Sequence, residues 1–143
     1  METKNKIMFL LATVFLLVFT IPVYGADHKF IILSSNDPVR ATQAFEAAQE
    51  ALMSGNAVTL FLVRDGAKLA SLWNPARFKN EAGKSPLQII SRLIKDGAEV
   101  LICPRSMKDC HMNEYELIYG VERMASKNVI EKASMMKEKV ARF

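Results

Sequence analysis

Cysteine, histidine and glycine are all scarce in this 143-residue chain: it has two cysteines, two histidines and six glycines. Two cysteines are too few to staple a disulfide mini-fold, so stability has to come from an apolar core. No Gly-x-Ser-x-Gly elbow is present, and His28 and His111 offer no Ser–His–acid triad. No G-x-G-x-x-G follows the first apolar run and no G-x-x-x-x-G-K-[ST] occurs anywhere, which excludes both common nucleotide cradles. Blocks of like charge are missing as well. The formal net charge of +4 is spread along the chain, as on a solvated surface and unlike a nucleic-acid footprint. There is no internal repeat and no low-complexity segment.

Charge is also absent from Ile7–Ile21, which follows the basic residues Lys4 and Lys6 and precedes Pro22-Val23-Tyr24-Gly25-Ala26. A basic start, an apolar centre and small residues at a cut after Gly25 describe a secretory signal peptide over residues 1–25. The rival is a retained anchor, since Ile7–Val23 approaches the ~17 residues that a spanning helix needs. Cleavage leaves residues 26–143 as one domain with no stable membrane span. The mature piece carries 17 cations against 14 anions, a net +3. The expected location is therefore periplasmic or extracellular. In an oxidising compartment Cys103 and Cys110 are free to pair.

Apolar runs and helical stripes then alternate along the mature chain. Strands are expected at Lys29–Leu33, Ala57–Val63 and Ala98–Cys103, a weaker one at Gly120–Ala125, and a fifth at Lys139–Phe143. Asp37-Pro38 starts a helix to about Ser54, with Phe45, Ala48 and Leu52 inward, alongside Ala41, Ala44 and Ala51. Arg64-Asp65-Gly66 reads as a turn before a short helix from Ala67. Trp73–Lys84 reads as a loop. Ser85-Pro86 starts a helix with Leu87, Ile90, Leu93 and Ile94 inward. Ser106-Met-Lys-Asp109 has the spacing of a capping box for a short helix. Ser126 caps a last helix to about Glu138, with Val129, Ile130, Ala133 and Met136 inward. The early strands are continuously apolar, which argues an α/β fold of three layers around a mostly parallel sheet of about five strands.

Ligands of such sheets sit beyond the carboxyl ends of the strands. The turns there bring Ser35, Asn36, Asp37, Arg64, Asp65, Cys103, Arg105 and Lys108 to one edge as a candidate substrate cleft. Cys103 stands where the third strand meets a helix start, with Arg105 and Lys108 close in sequence. Both influences lower a thiol pKa. The alternative is a buried, structural cysteine. Cys110 is a candidate partner thiol, and the soft set Cys103, Cys110, His111 and Met112, with Met107 nearby, offers a copper(I) reading. That spacing matches no established ligand motif, and no other cofactor is expected. His28 reads as a frayed surface residue.

Several phrases now line up in order: the strand before Asp37-Pro38; Asp65-Gly66-Ala67-Lys68-Leu69-Ala70; Ser85-Pro86-Leu87-Gln88; Leu93-Ile94-Lys95-Asp96-Gly97 running into Ala98–Pro104; Leu117-Ile118-Tyr119-Gly120-Val121-Glu122; and Lys139–Phe143. In this order the chain resembles the DsrE/DsrF-like family of sulfur-relay proteins over about Lys29 to Phe143. The resemblance implies a flavodoxin-like domain, a homo-oligomer (trimer or hexamer), and sulfur carried as a cysteine persulfide between a donor and an acceptor protein. Cys103 falls on the carrier position, and Cys110 is then a candidate resolving thiol. The family's second cysteine position falls on Ser106, and its Arg-Gly pair on Cys110 and His111. The signal sequence likewise departs from cytoplasmic relay members. Two functions are carried forward: an exported sulfur or thiol-redox protein acting through Cys103, and a non-enzymatic, oligomerising or ligand-binding module.

Overall fold

The structure is a computed structural model that describes residues 27–73, 79–135 and 139–143; the signal sequence and Met136 lie outside them. Among these, strands β1 (His28–Leu33), β2 (Ala57–Leu62), β3 (Glu99–Ile102), β4 (Val121–Arg123) and β5 (Lys139–Arg142) form one sheet in the order β4-β3-β2-β1-β5. All four pairings are parallel. Helices α1 (Pro38–Met53), α2 (Pro86–Lys95), α3 (Pro104–Asp109) and α4 (Ser126–Met135) join them, with a 3₁₀ helix at Arg64–Ala70 and a 3₁₀ turn at Glu114–Glu116. The expected α/β class and five strands are observed. No helix among the described residues is long and apolar enough to cross a membrane.

Side chains alternate across each strand, and this divides the core in two. Ile31, Leu33, Val58, Leu60, Leu62, Val100 and Ile102 point to a first face, where they pack with α1, α2 and the 3₁₀ helix. Phe30, Phe61, Leu101 and Cys103 point to the second face, where Val129 of α4 covers them. The connections explain this asymmetry. From β1 to β4 the chain steps always in one direction, so right-handed crossovers place their helices on one face. The step from β4 to β5 runs back past the whole sheet, and the same handedness sends α4 to the other face.

Local signals set most boundaries. Asp37 accepts a hydrogen bond from Arg40 N–H at 3.1 Å and Pro38 opens α1. Gly55, at φ 80°, lets the chain leave that helix. Ser85 and Gln88 form a reciprocal capping box at α2. The inward stripe of α2 is Pro86, Ile89, Ile90 and Leu93, whereas Leu87 is exposed and Ile94 is only half-buried. Ile89 thus takes the place expected of Leu87, in a stripe that runs i, i+3, i+4 and i+7 from Pro86. Leu52 is likewise only half-buried, at the last turn of α1. The turn and short helix expected near Arg64 are one continuous 3₁₀ helix. Gly66 sits in it against β1, and a Cβ there would fall 2.2 Å from the Leu33 carbonyl oxygen.

Two polar features of the second face were not foreseen. Thr59 is fully buried within an otherwise apolar strand; it donates to Glu99 Oε2 at 2.7 Å and meets His28 Nε2 at 2.8 Å. Lys132 of α4 donates to both Glu99 oxygens at 2.7 Å. His28 is therefore a half-buried member of a network, stacked on Phe30 with ring centroids 5.5 Å apart, and not a frayed surface residue. Burial pushes the Glu99 carboxyl pKa up, but the Lys132 and Thr59 hydrogen bonds and the Lys132 charge outweigh it, so the net shift is downward. A depressed folded-state pKa stabilises the fold above the ordinary carboxylate range and loses that contribution as pH falls through the folded value. Glu99→Gln is expected to lower stability at neutral pH and to flatten the loss of stability on acidification. Urea midpoints at neutral pH and at pH values below the ordinary carboxylate range measure both effects.

Candidate functional site

Pairing with β2 continues one residue past β3, since Cys103 N–H donates to the Leu62 carbonyl at 3.1 Å. Cys103 therefore keeps the strand alternation and turns its thiol to the second face, under Val129 and beside Val63 and Met124. The next residue, Pro104, opens α3, with Cys103 itself as N-cap. The helix thus starts three residues before the Ser106 capping box that the spacing suggested. Proline at the first helical position fixes the start there, leaving Ser106 inside the helix and buried.

Ser106 uses that burial. Its Oγ accepts the Arg64 N–H at 2.8 Å, tying the start of the 3₁₀ helix to α3. Arg64 stands at φ 49° to make this approach. The Ser106 hydroxyl and backbone and the Arg105 backbone lie at the start of α3 and favour the Cys103 thiolate, without a hydrogen bond from the helix to its side chain. The hydrogen bond to the sulfur comes from α4: Ser126 Oγ–H donates to Cys103 Sγ at 3.3 Å. Burial alone pushes the Cys103 pKa up, but these groups, led by Ser126, outweigh it and hold it below the usual thiol value. The expected lowering is present, and its main cause is different. Hydroxyl and backbone groups lead it, and Arg105 acts through its backbone.

The second thiol is in another environment. Cys110 packs against the first-face core and donates to the Arg64 carbonyl at 3.5 Å. Burial pushes its pKa up, with smaller contributions from Asp65 and Asp109, and together they outweigh the lowering charge of Lys68. Cys110 lines a cavity of about 300 Å³ with Lys68, Trp73, His111, Met112 and Glu116. Both cysteines are free thiols, and they lie on opposite faces of the sheet. A soft-metal set that needs Cys103 together with Cys110 and Met112 is not assembled. Among the described residues no three His, Cys, Asp or Glu side chains gather to hold a metal ion.

The other expected cleft residues do share the carboxyl edge of the sheet, but mostly in local roles. Asn36 is exposed, as is Asp37, which is committed to capping α1. Asp65 pairs with Lys68 at 2.7 Å. The Arg64 side chain, Arg105 and Lys108 are exposed. Ser126 was read only as a helix cap. It is instead the first residue of α4, whose first turn begins at the Ala125 carbonyl, and no sequence spacing links it to a cysteine 23 positions away.

The family model for DsrE/DsrF-like proteins matches residues 28–140. The chain belongs to the DsrE/DsrF-like family. The DsrE-type fold recurs in a protein of unknown function, MTH1491 from Methanobacterium thermoautotrophicum, at TM-score 0.67 and 13% identity, covering 82% of this chain and 99% of that one. The ychN protein from E. coli matches at TM-score 0.62 and 15% identity, with 82% and 99% coverage. A conserved protein of unknown function, BT1422 from Bacteroides thetaiotaomicron, matches at TM-score 0.60 and 13% identity, with 80% and 94% coverage. No curated protein matches the chain. Within this DsrE-like site, replacing Ser126 by Ala in a Cys110→Ser background is expected to raise the Cys103 pKa. The thiolate fraction at neutral pH should fall several-fold, consistent with the loss of one charge-assisted hydrogen bond. Thiolate ultraviolet absorbance against pH measures it.

Proposed function

We propose that this DsrE-like protein carries sulfane sulfur on Cys103, as a persulfide, in the extracytoplasmic space. The observation that supports this reading most directly is the hydrogen bond from Ser126 Oγ–H to the Cys103 sulfur at 3.3 Å, which with the nearby polar groups of Ser106 and the Arg105 backbone holds the thiol pKa below its usual value. This setting stabilises a thiolate, which is the nucleophilic form. With thiosulfate as donor, the Cys103 thiolate attacks the outer sulfur. A Cys103 Sγ–S bond forms, the donor S–S bond breaks, and sulfite leaves with the electron pair. An acceptor thiolate then attacks the terminal sulfur, and the Cys103 thiolate departs. Neither step needs an added oxidant or reductant.

Cys110 is not the acceptor within one protomer on this reading, because the two thiols face opposite sides of the sheet. The acceptor is then a thiol on another molecule, whether a further copy of the homo-oligomer that the family suggests or a distinct protein. Export rests on the uncharged Ile7–Ile21 segment and Gly25. N-terminal sequencing of the exported protein should begin at Ala26, and retention of Met1 in a membrane fraction would refute cleavage.

The second reading, a binding module with a structural cysteine, is favoured by one fact: Cys103 is only 6% exposed. Incubation with thiosulfate or polysulfide decides between them. Intact-protein mass spectrometry should show one added sulfur atom in the native protein and in Cys110→Ser, and none in Cys103→Ser. A native protein that stays unmodified although its Cys103 thiol is reduced would leave the module reading.

A further inference from the structure

A thiol that is 6% exposed and yet stabilised as an anion poses a question of access. What lies over it is α4. This helix buries one side chain, Val129, whereas α1 buries five residues and α2 buries four. Its Ile130 and Met135 are 64% and 72% exposed. Beside it, a cavity of about 250 Å³ lined by Phe30, Ile32, Val129, Ile130, Ala133 and Val140 remains open along the sheet. Apolar packing therefore holds α4 weakly. Among the described residues its polar attachments to the sheet are Ser126 on Cys103 at one end and Lys132 on Glu99 at the other. Glu99 is in turn fixed by Thr59, which is fully buried.

We propose that the Lys132–Glu99 ion pair is a clasp that holds α4 over Cys103, so that reagents reach the thiol only when α4 lifts from the sheet. The proposal rests on Cys103 being the nucleophile of the sulfur chemistry above, and it names Lys132, Glu99 and Thr59 as positioning residues for that group. A half-buried pair suits this task. Lys132 and Glu99 side chains are 29% and 33% exposed, so water can compete for the pair once α4 begins to move. Burial still strengthens the closed state beyond an ordinary surface pair. Opening exposes Cys103 and withdraws the Ser126 hydroxyl at the same time. The thiol therefore becomes accessible as its Ser126 donor leaves, so the gain on opening is one of access, and each thiolate that remains is the more nucleophilic.

The test is the alkylation of Cys103 by iodoacetamide across pH in a Cys110→Ser background. The plateau rate at high pH reports access, and the midpoint reports thiolate stabilisation. Lys132→Met should raise the plateau about tenfold, the order that one charge-assisted contact is worth, and Lys132→Arg should restore the native plateau. A Lys132→Met plateau equal to the native one, or a Lys132→Arg plateau as high as that of Lys132→Met, would overturn the clasp. Native-state hydrogen exchange covers the case in which Lys132→Met fails to fold. In the unsubstituted protein, α4 amides should open far more often than those of β3, and equal protection would again overturn the proposal. Fast alkylation without uptake of sulfur from polysulfide would instead remove the sulfur-carrier function and leave the clasp standing.

Discussion

Right-handed crossovers constrain this molecule more than any single contact does. Three successive connections move across the sheet in one direction, and their helices must share a face. That face receives α1, α2, α3 and the 3₁₀ helix, and it builds the larger of the two apolar clusters. The one returning connection supplies the only described helix on the other face. A ten-residue helix cannot cover five strands, so Phe30, Phe61 and Leu101 rely on Val129 and on partly buried neighbours. Thr59 and Glu99 fill the remainder with polar contacts. The imbalance between the two faces follows from topology, and the position of Cys103 follows from strand alternation upon it.

The fold was legible because each signal was local or periodic. Continuous apolar runs marked buried parallel strands, and Asp37-Pro38 and Ser85-Pro86 marked helix starts that the structure keeps. The errors were rotations and phase shifts. Leu87 yielded its inward place to Ile89, and the helix after β3 began at Pro104 instead of beyond Ser106. A weak capping-box spacing lost to a proline at the first helical position, whose fixed φ costs nothing there.

The site was legible only in part. Cys103 was identifiable because a cysteine at the carboxyl end of a central strand falls where α/β sheets bind ligands. Its environment was not, because Ser126, Ser106 and the Arg64 backbone come together through tertiary structure alone. One signal was available and passed over. Thr59 interrupts the apolar run Ala57–Val63, and a hydroxyl buried in a parallel strand must find partners. Those partners, Glu99 and His28, lead directly to the network that anchors α4. The residues chosen for charge, Asp37, Asp65, Arg105 and Lys108, turned out to be solvated or engaged locally.

Ser106 shows how a departure from the family pattern can preserve a site while changing its chemistry. A second thiol at this position would offer sulfur a neighbouring stop. A hydroxyl accepts no sulfur, but it accepts the Arg64 N–H, holding the loop after β2 against α3, and its polarity favours the Cys103 thiolate. The consequence is a candidate site with one thiol, one hydrogen bond to it from Ser126 and polar groups of α3 around it. Such a site stabilises an anion well and has no intramolecular route for passing on what it binds. Cys110, on the opposite face with a raised pKa, does not restore that route. On the proposed function, transfer from Cys103 is intermolecular, and the proposed lifting of α4 would open the thiol outward to a partner. The weakly packed face and the single stabilised thiol are in this sense parts of one arrangement.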